Sequence, residues 1–267
     1  MNYANLHTHS IYSDGKHTPR QIVEQAIAQG MSAIGISDHS YTFFDKAYCI
    51  ANEKNGEYIN ELRTLKEEYK DRIDVLVGIE LDGYSEGYER SDFDYIIGSC
   101  HYINFGGEYV SVDSSLQGVL AAISKYCGGD SLEFARRYFD IYSQRVSLMR
   151  PDILGHIDLV AKLGVINEES DEYRRMALQT LFDALSHTSI IEMNTGAISR
   201  GYRTIPYPAP FLLREICKRG GRIILSSDSH TKDTLTFYFD ECVELLRQNG
   251  FKSIVTYRNG GFEEIGI

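Results

Sequence analysis

The sequence predicts an α/β protein built on a parallel sheet, and three observations carry that prediction. Short apolar runs alternate with helix-length amphipathic segments along the whole chain, the pattern of repeated strand–helix–strand units. The segments between successive runs are too long for tight hairpins and long enough for right-handed helical crossovers. No repeat, low-complexity tract or shift in composition marks a second domain, so residues 1–267 are expected to form a single unit.

The apolar runs predict strands over residues 4–7, 33–37, 74–79, 95–99, 153–156, 190–193, 222–226 and 253–256. Helices are predicted between them over 19–29, 57–69, 131–147, 173–186, 209–219 and 239–249. Thr18 followed by Pro19 is a capping residue before a first-turn proline, and Gly30 ends that helix. Gly220 and Gly221 end another just before the strand at 222–226. Seven or eight such units suit a closed barrel, although periodicity alone leaves an open sheet equally available. Three stretches, 41–56, 102–130 and 195–208, break the rhythm. Each follows a strand, which on a barrel is the face that carries chemistry.

Hydrophobic residues make up 43% and charged residues 24%, the balance of a globular protein with a full core. No apolar stretch is long enough to span a bilayer, and the opening MNYANLHTHS lacks a basic start followed by an apolar run. The expected location is therefore the cytoplasm. Five cysteines without a CxxC pair predict reduced, mostly buried thiols rather than a zinc ribbon. A formal net charge of −11 disfavours a nucleic-acid groove. It leaves room for a small phosphorylated substrate, because bound cations reverse the local sign of a cleft. A homo-oligomer is compatible with all of this.

Of eight histidines, six sit at or just beyond the end of a predicted strand: His7, His9, His39, His101, His156 and His230. Any one alone would be read as an ordinary structural residue. Carboxylates fall in the same places. Asp228 precedes His230 by two residues, as His7 precedes His9, and period-2 alternation aims both members of such a pair to one side. Glu80 follows the apolar run at 75–79, where a carboxylate is costly unless paired or bound to a cation. Asp14 lies in a loop before Gly15. Six imidazoles and three carboxylates exceed the needs of one cation, and three divalent cations sharing them is the economical solution. Mixed nitrogen and oxygen donors suit Mn, Fe or Zn better than magnesium or calcium.

These residues, in this order, resemble the polymerase and histidinol phosphatase (PHP) superfamily. His7-Thr8-His9-Ser10, Ser13-Asp14-Gly15 and Ser37-Asp38-His39 are similar to its opening motifs. Gly78-Ile79-Glu80, Gly98-Ser99-Cys100-His101, Gly155-His156 and Ser226-Ser227-Asp228-Ser229-His230 resemble the rest. The resemblance implies a distorted (β/α)7 TIM-like barrel with a trinuclear metal site at the C-terminal ends of the strands. It implies one metal on His7, His9, Glu80 and Asp228, a second on Glu80, His101 and His156, and a third on Asp14, His39 and His230. The length and the segment at 191–196 look most like stand-alone histidinol-phosphate phosphatases, which release phosphate from L-histidinol phosphate in histidine biosynthesis.

Three divalent cations carry about +6, and the carboxylates with one shared hydroxide leave about +2, matching a phosphate dianion. The expected chemistry is in-line attack by a metal-bridging hydroxide, with Glu80, His101 and Asp228 as catalytic residues and Asp228 a candidate proton donor to the leaving group. Arg200 and Arg203 are expected to grip phosphate, with Lys16 and Lys162 behind them, and Asn194 to position substrate or water. Thr8, Asp38 and Ser99 are expected to orient ligands. Tyr41, Phe43, Phe44, Asp45 and Tyr48 supply aromatic rings and an acid that suit an imidazole and an ammonium group, or simply pack a loop. The rival readings are a PHP-type phosphoesterase acting on nucleotides, nucleic-acid ends or phosphotyrosine, an amidohydrolase, and a non-catalytic metal-binding module.

Overall fold

The computed structural model describes residues 2–267. Its centre is a sheet of nine strands. Four open it: β1 (Ala4–Asn5), β2 (Ala33–Ile36), β3 (Asp74–Asp82) and β4 (Tyr95–Ser99). A separate antiparallel hairpin follows, β5 (Tyr102–Phe105) and β6 (Glu108–Ser111). The main sheet then continues through β7 (Ile153–Leu154), β8 (Ile190–Asn194), β9 (Arg222–Ser226), β10 (Ser253–Arg258) and β11 (Gly261–Gly266). Every pairing in the main sheet is parallel except that of β10 with β11. A parallel bridge between Thr8 and Ser229 brings the segment after β1 against the segment after β9. The result is a curled, mostly parallel α/β sheet.

The predicted strands all appear, with two differences. β1 and β7 are only two residues long, and β3 runs three residues past its expected end, so Glu80 stands inside the strand. The stretch at 102–130, read as irregular, holds the β5–β6 hairpin and helix Leu116–Cys127. The hairpin reverses at Gly106 and Gly107, both at positive φ, which only glycine adopts freely. The six predicted helices stand near their expected bounds. The first, Pro19–Ala28, carries a capping box in which Thr18 and Gln21 satisfy each other's backbone N–H groups.

Alternation along the strands divides the core in two. Val75, Val77 and Ile79 face the helices, while Leu76 joins Ala33, Tyr95, Ile97, Ile153, Ile190 and Ile224 inside the curl. Further along the same inner positions the residues turn polar: Glu80 and Asp82 on β3, Ser99 on β4, Glu192 and Asn194 on β8, Ser226 on β9. The interior is therefore dry at one end and hydrophilic at the other. Tyr95 fills the dry end so tightly that a Cβ at Gly35 or Gly78 would collide with its ring.

No described helix is long and apolar enough to cross a membrane. The five cysteines are free thiols, of which Cys49, Cys100 and Cys242 are buried.

Candidate metal centre

The hydrophilic end of the sheet gathers His7, His9, His39, Glu80, His101, His156 and Asp228, all buried, with Asp14 and His230 at the rim. Glu80 is the hub. Its Oε2 lies 2.7 Å from His39 Nδ1 and 3.3 Å from His7 Nε2. Its Oε1 lies 3.1 Å from His156 Nε2 and 3.5 Å from His101 Nε2. Asp228 Oδ1 stands 3.1 Å from His9 Nε2, and Asp14 Oδ2 stands 3.1 Å from His230 Nε2. Asp228 adopts a left-handed backbone with φ of 47°, an uncommon conformation that recurs where side-chain direction is under functional constraint.

Four sets of donor atoms each fall within 4.8 Å: His7 with Glu80 and His156; His7 with His9 and Asp228; His39 with Glu80 and His101; and His9 with Asp14, His39 and His230. All nine ligands expected from the sequence are in this cluster. The grouping differs from the expected partition in placing His39 beside Glu80 as well as beside Asp14.

Buried polar atoms in folded proteins nearly always have partners. Here His7 Nε2, His9 Nδ1, His101 Nδ1 and His156 Nδ1 are buried without a hydrogen-bond partner, and Glu80 Oε2 has His39 Nδ1 at 2.7 Å but no well-aligned hydrogen bond. Lone pairs of imidazole nitrogen and carboxylate oxygen left over in this way are what a divalent cation takes up, so the donor set fits a metal centre. The electrostatics agree. Burial opposes charge on Glu80, but His7, His39 and His101 outweigh it and hold the carboxyl well below its ordinary range. Asp228 is likewise held far down against its burial, by Arg200 and His7, and is a carboxylate rather than an acid at neutral pH. Burial, with His39 and His230 nearby, pushes His9 down to about 3, which keeps its ring neutral.

A further set of carboxylates lies under the cluster, and two of its members were not anticipated. Glu192 accepts from His7 Nδ1 at 2.7 Å, from the His156 backbone N–H at 2.8 Å and from Asn194 Nδ2 at 2.8 Å. The bond to Nδ1 leaves His7 Nε2 free to face the cluster. Asp82 accepts from the His101 backbone N–H at 2.7 Å and lies 3.3 Å from that ring. Asp38 accepts from the Ser10 backbone and hydroxyl and from Ser13, tying down the loop that carries Asp14. An acid embedded in the apolar run at 190–193 was the available signal for Glu192.

A cavity of about 320 Å³ opens onto the cluster. Arg200 and Lys162 are the Lys or Arg side chains lining it among the described residues. Arg200 pairs with Asp228 Oδ2 at 2.9 Å and reaches His230 Nδ1 at 2.8 Å. Lys162 pairs with Asp113 at 2.7 Å. Two expected substrate contacts stand elsewhere. Arg203 is not on the cavity wall: Glu168 holds its guanidinium through two bonds of 2.9 Å, and it lies over the Tyr207 ring. Asn194 is fully buried, with its amide bonded to Glu192 and to the Gly196 N–H, so both of its polar ends are consumed by the scaffold. Lys16 is not on the cavity wall either.

Comparison with known proteins shows what the chain is similar to. The model of the PHP domain matches residues 5–196. A Deinococcus radiodurans protein named "Probable histidinol-phosphatase" is 27% identical over 96% of each chain. The histidinol-phosphatase of Bacillus subtilis is 23% identical over 90% of this chain and 97% of its own. The crystal structure of histidinol phosphate phosphatase from Lactococcus lactis, complexed with zinc, L-histidinol and phosphate, shares the fold. It superposes with a TM-score of 0.69 at 23% identity, over 98% of this chain and 99% of that one.

Proposed function

The chain belongs to the PHP domain family, and from that membership we propose that it is a metal-dependent phosphomonoesterase that hydrolyses L-histidinol phosphate to L-histidinol and phosphate. One observation carries the chemistry: imidazole and carboxylate donors without other partners converge beneath a cavity that also presents Arg200 and Lys162. The substrate is supported by end-to-end similarity to histidinol-phosphatases.

In this reading the parallel strands with their helices form a distorted (β/α)7 barrel, with the site at the C-terminal ends of the strands. The nine donors hold three divalent ions, of Mn, Fe or Zn. Such ions supply Lewis acidity and ionise water near neutral pH. The protein's own part is positional and electrostatic. Glu80 faces five imidazoles and keeps their nitrogens converged. Glu192 and Asp82 fix the rings of His7 and His101. Arg200, and Lys162 on its Asp113 anchor, meet the phosphate oxygens with positive charge.

The test is phosphate release from L-histidinol phosphate, p-nitrophenyl phosphate and a nucleoside monophosphate, each with Mn, Fe or Zn supplied. Strong preference for the first is expected. Equal slow turnover of all three would remove the assigned substrate, and no turnover with any ion would remove the activity.

A further inference from the structure

Asp45 lines the same cavity as His101, His156 and Arg200, yet it stands apart from the other acids there. Asp228 is paired with Arg200, Asp113 with Lys162, and Asp14 with His230. Among the described residues no cationic side chain lies within 4.0 Å of Asp45. Its neighbour Lys46 turns to the Tyr41 ring instead. The Asp45 carboxylate is nevertheless held in place, accepting from the Ala47 N–H at 3.2 Å and from the Tyr102 hydroxyl at 2.9 Å.

The rings between Asp45 and the histidines give it a defined position. The Tyr48 ring lies 4.8 Å from that of His39 and 5.7 Å from that of Tyr102, whose hydroxyl reaches Asp45. Asp45 thus stands two rings out from the donor cluster, on a wall of aromatic faces. A carboxylate without a counter-charge is a liability in a cavity that must admit a phosphate dianion, because like charges repel across a shielded space. The liability disappears if the substrate brings its own cation to that wall.

We propose that Asp45, framed by Tyr48 and Tyr102, selects phosphomonoesters whose alcohol portion carries a positively charged nitrogen. The inference rests on the histidinol-phosphate reading and adds to it a specificity residue. Phosphate occupies the Arg200 end, and the ammonium or imidazole nitrogen of the alcohol meets Asp45 and the tyrosine faces. A nucleoside monophosphate or an aryl phosphate offers no cation there and leaves the carboxylate unpaired.

The experiment compares kcat/KM for L-histidinol phosphate and for phenyl phosphate, in the wild type and in Asp45→Asn, which keeps the shape and removes the charge. The ratio of the two values is expected to fall about tenfold or more, the size of one lost charge-assisted hydrogen bond. Inhibition of phenyl phosphate hydrolysis by L-histidinol is expected to weaken in parallel. Should Asp45→Asn fold poorly by circular dichroism, Tyr102→Phe, which frees the carboxylate from its anchor, is expected to lower the ratio by a smaller factor. A ratio that stays within about twofold in a folded Asp45→Asn, with the wild type preferring L-histidinol phosphate, overturns this inference alone. A wild type without that preference overturns the substrate reading, and this inference with it.

Discussion

Glu192 accepts the Nδ1 hydrogen bond of His7 at 2.7 Å, and neither side chain reaches solvent. A buried carboxylate in that position fixes which ring nitrogen carries the proton and therefore which one is left for a metal. Replacing Glu192 with Gln is expected to weaken metal affinity by about 10- to 100-fold, read by competition against a coloured chelator. Native affinity in the variant would mean that the orientation of His7 is set by something else.

Glu80 touches more of the donor cluster than any other side chain, and His101 reaches it from β4's end. Glu80→Gln and His101→Ala are each expected to reduce turnover at least about a thousandfold, equivalent to about 4 kcal/mol of barrier. Far-ultraviolet circular dichroism should remain that of the wild type. Near-native turnover in either variant refutes the assignment.

Removal of divalent ions is expected to cost stability as well as activity, since the buried donors then lack a partner. Re-addition at about a hundred times the dissociation constant should restore about 2.7 kcal/mol. Calorimetric melting with and without chelator measures this. Coincident melting curves would show that the cluster is stable without ions.

The Lys162–Asp113 pair predicts a pH signature. Burial opposes charge on Asp113, but Lys162 and His101 outweigh it and hold the carboxyl below its ordinary value of 3.8. A carboxyl depressed in the folded state stabilises above its unfolded pKa, and the gain is lost as pH falls through the folded one. The stability difference between wild type and Asp113→Asn should therefore be full at pH 5 to 7, about one to three units above the unfolded value, and shrink below about pH 4. Urea midpoints across that range decide it, and a difference independent of pH would exclude a charge effect.

Gly196 lies where a Cβ would stand 2.7 Å from Asp228 Oδ2 and 2.9 Å from Arg200 Nη2. Gly196→Ala is expected to push these groups apart and lower kcat/KM by about tenfold or more. Unaltered kinetics would show that the Arg200–Asp228 geometry is dispensable.

Eight of the nine candidate donors were legible in the sequence because they fall at or just past the end of an apolar run, where a strand end fixes both the place and the side of the next polar residue. Asp14, in a loop, was legible only through the resemblance. Glu192 and Asp82 were harder to see. They sit on strands, where a carboxylate gains its meaning only from the imidazole opposite, carried just past the end of a different strand. Arg203 and Asn194 stand off the cavity wall, each held by a carboxylate. Glu168, which holds Arg203, comes from a different loop, whereas Glu192, which holds Asn194, lies two residues back on the same strand β8. Pairing across elements is a property of the fold, and local pattern carries little of it. The hairpin at 102–111 escaped notice although Gly106-Gly107 was a turn signal in plain view.

The Thr8–Ser229 bridge and the bond from Asn5 to Ser227 beside it join residues 221 and 222 positions apart. A chain leaving the ribosome has already delivered His7 through His156 when Asp228 and His230 are still unmade. It cannot close its pocket until translation has passed that point. Fragments that end before residue 222 would carry seven of the donors but lack Asp228 and His230, so two of the four donor groups stay incomplete until the final strands are made.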